Sequence, residues 1–200
     1  GFMPVKFGIS FNRTMLNQAG ALVHVYTDGS VHLNHGGTEM GQGLHTKVIQ
    51  IVADVFGLDD SRVRISNTTT GKVPNTSATA ASSGTDLNGM AALRAAETIK
   101  LRMADYLAKL YQSRASDIDF SSGSVILPSG QSLSFSEAAN QCHMGRISLS
   151  STGFYSTPEI HWDDNSLTGS PYYYFAYGVA LSEVIVDTLT GESRVLRADI

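Results

Sequence analysis

The strongest constraint on this fold is a run of apolar residues at every third or fourth position: Leu87, Ala91, Ala95, Ile99, Met103, Leu107 and Leu110. The spacing predicts one helix over residues 86–111 with a single buried stripe. Its early part carries Gly89, Ala91, Ala92, Ala95 and Ala96. Side chains that small permit a close approach of the helix backbone to a neighbouring element. A second helix is predicted over residues 42–56, where Leu44, Val48, Ile51, Val52 and Val55 share a face and Gly57 is placed to end it.

The remainder reads mostly as sheet. Residues 5–15 alternate loosely, with Phe7, Ile9 and Phe11 on one face. Residues 21–26 and 31–33 flank Asp28-Gly29, a hairpin signal. Residues 61–66 read as a short strand, and residues 119–133 as a hairpin at 121–123 with another turn at 128–130. Ser134 and Glu137 have capping-box spacing, opening a short helix to about His143. Strands are predicted over 147–155, 172–187 and 192–200, with 163–170 as a loop. The aromatic run from Tyr172 to Phe175 is expected in a sheet core. This order argues for an α+β fold or mixed α/β, and α+β with mixed sheets and two main helices is the reading adopted. No repeat or linker interrupts it, so residues 1–200 are read as one domain segment. Gly1 at the start and a strand-like end at Ile200 lead to the expectation that the segment belongs to a longer chain.

With 42% hydrophobic and 16% charged residues, the composition suits a packed globular protein. A net charge of -4 with scattered Lys and Arg argues against a nucleic-acid partner. Cys142 is the lone cysteine, which excludes an internal disulfide or a cysteine-rich metal site and points to a reducing, cytoplasmic setting. No apolar run approaches the roughly 20 residues of a membrane span, so no membrane partner is expected. The six histidines lack a tight metal-ligand spacing and are expected on the surface or satisfied in the core.

Two loops carry the chemical signal. Residues 35–43 (HGGTEMGQG) hold four glycines between a strand and a helix. Free N–H groups at a helix start can meet an anion, and Gln42 can both donate and accept. Residues 73–84 (VPNTSATAASSG) are small and polar and lead into the long helix. Read from the residues alone, a glycine-rich turn and a surface loop without any ligand remain open alternatives. Neither loop is a nucleotide motif: Gly71-Lys72 is followed by Val73, and no G-x-G-x-x-G or G-x-S-x-G occurs.

Residues 36–47 (GGTEMGQGLHTK), 73–82 and 86–89 (DLNG) resemble the molybdenum-binding part of xanthine dehydrogenases and aldehyde oxidases. So do residues 6–10 (KFGIS), 149–155 (LSSTGFY), 174–180 (YFAYGVA) and 183–191 (EVIVDTLTG), in the family's order. Residues 79–82 after 74–76 look like the xanthine dehydrogenase version of their loop.

The resemblance implies a Mo-molybdopterin cofactor. Met40, Gly41, Gln42 and Gly43 match one cofactor-contacting loop. Thr79, Ala80, Ala81, Ser82, Ser83 and Gly84 match the second, with Ala81 as the small residue beside the molybdenum. The pterin's own dithiolene would hold the metal, and the protein would orient it. The implied reaction is hydroxylation of hypoxanthine and xanthine to urate with oxygen from water, electrons leaving through 2Fe–2S clusters, FAD and NAD on other domains or another subunit. An aldehyde or N-heterocycle hydroxylase is the neighbouring alternative, and a non-catalytic anion-binding or assembly domain the one of another class. The family's catalytic glutamate and purine-clamping residues have no match in this chain, so no catalytic residue is assigned, and the segment alone is expected to be inactive. The full enzyme is expected to be an oligomer, and some apolar surface here to be covered by the rest of it.

Overall fold

Alternation and helical periodicity give twelve strands and three helices in the computed structural model, which describes residues 1–200. In chain order these are β1 (Phe2–Ile9), β2 (Gln18–Val25), β3 (Val31–His35), α1 (Leu44–Phe56), β4 (Val63–Ile65), α2 (Gly84–Leu110), β5 (Asp119–Ser121) and β6 (Ser124–Ile126). They continue as β7 (Ser132–Ser134), α3 (Phe135–Met144), β8 (Ser150–Ser156), β9 (His161–Asp163), β10 (Thr168–Ser170), β11 (Tyr174–Val186) and β12 (Ser193–Asp199). The chain divides into two units, Met15–Thr157 and Gly1–Thr14 with Pro158–Ile200.

In the Met15–Thr157 unit, β2 and β3 pair antiparallel through the Asp28-Gly29 turn, where Gly29 has φ 76° and its N–H donates to the Tyr26 carbonyl at 2.9 Å. The sheet runs β4-β3-β2-β8, with β4 parallel to β3 and β8 antiparallel to β2. Its inner face carries the alternating Ala19, Ala21, Val23 and Val25 of β2 and Val31 and Leu33 of β3, all buried.

Helix α2 lies on this face because both partners are small. Ala91, Ala92, Ala95 and Ala96 are fully buried, and a Cβ placed on Gly153 of β8 would overlap the Ala91 carbonyl oxygen. Helix α1 packs beside α2, burying Leu44, Val48, Val52, Val55 and Phe56. Ile51 is only half-buried, and Leu110, expected on the α2 stripe, is exposed because the buried face ends at Ala108. Gly57 ends α1 with φ 63°, as its position suggested. Helix α1 begins at Leu44, two residues later than predicted, because Gly43 takes a left-handed φ of 77° that no helix interior allows.

The capping box at α3 forms in full: Glu137 N–H donates to Ser134 Oγ at 3.2 Å, and Ser134 N–H to the Glu137 carboxylate at 2.8 Å. Phe135, just inside it, packs its ring on Phe56 and Phe120, joining the small sheet β5-β6-β7 to the core.

The other unit is an antiparallel sheet, β1-β11-β12, plus a β9/β10 hairpin. Three expectations need correction here. Residues 163–170 are not a plain loop: β9 and β10 pair across a turn in which Asp163 accepts from Asn165 N–H at 2.9 Å and Ser166 Oγ at 2.7 Å. Polar three-residue strands leave no periodicity to read. Strand β1 stops at Ile9, not Met15, because Ser10 turns the backbone with φ 125°. The aromatic run is not core: Tyr173 is 50% and Tyr174 44% exposed, and Phe2, Val5, Val184, Ile185 and Val195 of the same sheet are exposed too. No helix is long and apolar enough to cross a membrane.

Candidate functional site

Parallel pairing of β3 and β4 directs their C-terminal ends to the same edge of the sheet, and both chemistry-bearing loops leave from there. Such an edge is where open sheets commonly form ligand crevices. The loops are tied together: Thr38 N–H donates to Thr79 Oγ1 at 2.9 Å, and the Thr76 side chain lies so close to Gly36 that a Cβ there would overlap it. Asn88, in the second turn of α2, donates to the Gly84 carbonyl at 2.8 Å. A Cβ on Gly37 would sit 2.8 Å from the same Asn88 nitrogen.

Between the loops is a cleft of about 460 Å³, within the usual range for small-ligand pockets. Met40 and Gln42 line it from the first loop, and Thr79, Ala80, Ala81, Ser82 and Gly84 from the second. Of the ten expected site residues, Gly41, Gly43 and Ser83 do not line it. Ser83 is buried, its hydroxyl donating to the Ala80 carbonyl at 3.1 Å. Leu44, Lys47 and Thr85 complete the wall. Sequence reasoning placed Leu44 on the apolar face of its helix and gave none of the three a site role, although Lys47 lies one helical turn past Leu44 and Thr85 directly follows Gly84. Lys47 is the only charged group on the cleft wall.

Two local conformations shape the site. Ala81 and Ser82 are successive left-handed residues, each at φ 54°, an arrangement costing roughly 1–2 kcal/mol per residue and concentrated at functional sites. Gly41 and Gly43 stand at φ 95° and 77°, where a Cβ would meet nothing within 4 Å.

The first loop differs from expectation in one respect. Its N–H groups are not free for a ligand, because Glu39 accepts from Gly41, Gly43 and His45, and Gln42 Oε1 accepts from Met40 N–H at 2.6 Å. Gln42 Nε2 donates to the Thr38 carbonyl at 2.9 Å, so its amide both donates and accepts within its own loop. The His45, Gly43 and Gly41 N–H groups hold the Glu39 carboxyl below its usual pKa, though it is exposed to solvent.

Beneath the loop, His35 is buried and its Nδ1 accepts from Gly37 N–H at 3.0 Å. Burial, with His45 beside it, pushes its pKa down to about 4, so the ring is neutral and the proton sits on Nε2. Contrary to the expectation of a satisfied core histidine, Nε2 has no partner, and neither does Asn88 Oδ1.

No group of three or more His, Cys, Asp or Glu side chains is placed to hold a metal ion. The cleft itself offers the Thr79, Ser82 and Thr85 hydroxyls and the Lys47 ammonium around the small side chain of Ala81, a lining that fits a polar anion.

The chain belongs to the molybdopterin cofactor-binding domain family, whose model matches residues 1–200. It is 48% identical over 198 residues to the xanthine dehydrogenase/oxidase of Felis catus and 46% over 201 residues to the xanthine dehydrogenase of Dictyostelium discoideum. Each match covers 99% of this chain and 13% of the relative, so the chain spans about an eighth of those proteins. Among solved structures, it is similar to quinoline 2-oxidoreductase from Pseudomonas putida 86, with TM-score 0.81 at 21% identity, covering 99% of this chain and 26% of that one. The Cu,Mo-CO dehydrogenase gives TM-score 0.81 at 19% identity, over 99% and 25% of the two chains. These last two likenesses speak to the fold, α+β as expected.

Proposed function

We propose that the cleft between the loops seats Mo-molybdopterin and that the whole protein is a xanthine dehydrogenase, hydroxylating hypoxanthine and xanthine to urate with water as oxygen source. The observation that carries this is the convergence of Gln42 and Ala81 on one cleft, joined by the Thr38–Thr79 hydrogen bond. Identity of 46–48% to xanthine dehydrogenases supports the purine reading.

In this reading Met40 and Gln42 form one wall, with Gly41 and Gly43 setting its backbone. Thr79, Ala80, Ala81, Ser82 and Gly84 form the other, while buried Ser83 holds that turn from behind. Ala81 keeps the floor low beside the metal, and Lys47 offers its ammonium to the cofactor's negative charge. When bound, the cofactor supplies two-electron redox chemistry. This chain's residues bind and orient it, and no carboxylate lines the cleft to move a proton. The base, the 2Fe–2S clusters, FAD and NAD would sit on other parts of the protein or another subunit. The exposed β1-β11-β12 sheet would pack against those parts, within an oligomer. A buried, unpaired Cys142 suits the reducing cytoplasm.

The test is to purify the protein, measure molybdenum by mass spectrometry and pterin by fluorescence after oxidation, and assay xanthine and an aldehyde with an artificial acceptor. Stoichiometric metal and pterin with a preference for xanthine are expected. A loaded protein preferring aldehydes would overturn the substrate, and a protein with neither metal nor pterin would overturn the site.

A further inference from the structure

The first loop carries an anion of its own. Glu39 Oε1 accepts from the Gly41 N–H at 2.8 Å and the Gly43 N–H at 3.0 Å, while Oε2 accepts from the His45 N–H at 3.0 Å. These amides form the entry to α1. Its N-cap is Gly43, which has no side chain to cap with. A Ser or Asp at that position would ordinarily satisfy one such N–H. Here a carboxylate four residues upstream satisfies three, and a charged acceptor makes stronger bonds than a hydroxyl.

The bonds constrain the chain on both sides of Gln42. Gly41 and Gly43 are each held left-handed, and Gln42 closes the turn on Met40 N–H and the Thr38 carbonyl. Met40 and Gln42 are the residues this loop contributes to the cleft. Glu39 is not on the cleft wall, and both its oxygens already accept from the backbone, so it is not placed to act on a substrate.

We propose that Glu39 is a positioning residue for the cofactor seat, a built-in anion that pre-forms the entry to α1 so that Met40 and Gln42 stand in the cleft before any cofactor arrives. The proposal rests on the reading of the cleft given above. Without Glu39, three N–H groups and two left-handed glycines lose the contact that orders them, and the cofactor must order the loop as it binds.

The experiment compares the whole protein with its Glu39→Ala and Glu39→Gln variants. Amide hydrogen exchange across residues 36–47 is followed in cofactor-free protein, and pterin per polypeptide in protein as isolated. Glu39→Ala is expected to speed exchange at Gly41, Gly43 and His45 about tenfold, the scale of one lost helix cap. Pterin content should fall severalfold, while the melting midpoint drops by no more than about 2–6 °C, the scale of one lost cap at an exposed residue outside the core. Glu39→Gln keeps one acceptor oxygen but turns an NH₂ toward the His45 N–H, so it should fall between the two. If Glu39→Ala fails to accumulate, Glu39→Gln carries the test alone.

Wild-type exchange in both variants overturns the proposal, and so does faster exchange with undiminished pterin. A wild-type protein that carries no pterin overturns the reading of the cleft and this role with it. That result is distinct from a loaded wild type whose variants load equally well, which removes the role and leaves the cleft.

Discussion

Replacing Gly153 by alanine tests how α2 is held on its sheet, and through α2 how the second loop is aimed. The added methyl would overlap the Ala91 carbonyl oxygen and lie 2.7 Å from the Ala95 nitrogen. Both are backbone atoms, so no side chain can rotate away. Ordinary contact between such atoms needs about 3.5 Å or more, and α2 must retreat from β8 by roughly 1 Å. That retreat loosens the buried stripe of Ala92, Ala95, Ala96 and Ile99 along its length. Overpacking of this kind costs about 1–3 kcal/mol, and an overlap with rigid backbone belongs at the upper end. For a domain of this size, about 3 kcal/mol corresponds to a fall of roughly 9 °C in Tm. Scanning calorimetry and urea titration of the purified protein would measure it. The control is Gly153→Ala with Ala91→Gly: removing the Ala91 methyl leaves its carbonyl in place, so no rescue is expected. A Tm within about 2 °C of wild type, or full rescue by Ala91→Gly, would refute the backbone-contact reasoning.

Two further outcomes follow from the site. Ala81→Gly should raise stability by about 1 kcal/mol by removing the left-handed penalty, and Ala81→Val should lower it by about 1–2 kcal/mol; calorimetry that finds the glycine variant destabilised would remove strain from the account. For His35, the imidazole titrates near 6.5 in the unfolded chain and at about 4 in the fold. The unfolded state therefore takes up the proton first on acidification. Stability from this group is fully present above pH 6.5 and lost as pH falls toward 4, by up to about 3 kcal/mol in all. Urea midpoints for wild type and His35→Gln across that window should converge as the pH drops, and parallel curves would contradict it.

Much of this architecture was readable from local chemistry. Asp28-Gly29 marks its hairpin, Ser134 and Glu137 their cap, and the alanines of α2 a backbone-close helix, because each signal lies within a few residues of its effect. Both loops stood out by glycine and hydroxyl content. That they face one another was implied by the family resemblance and not by local chemistry, since it depends on β3 pairing parallel with β4 and on a hydrogen bond from residue 38 to residue 79. Tyr172 to Phe175 show the limit of propensity: aromatic residues mark a strand without telling whether anything covers it. Glu39 left a trace that could have been followed, a carboxylate just ahead of a helix whose N-cap glycine offers nothing. Lys47 enters the cleft through the turn of α1, which becomes apparent only once the helix start at Leu44 is known.

The most direct test of the two-loop seat is a crystal structure of the protein isolated with its metal, with anomalous scattering recorded at the molybdenum edge. One peak in the cleft between Gln42 and Ala81 is predicted, with the pterin spanning both loops and no side chain of this chain bonded to the metal. A peak elsewhere in the molecule, or a histidine, cysteine or carboxylate of residues 1–200 ligating it, would contradict the account.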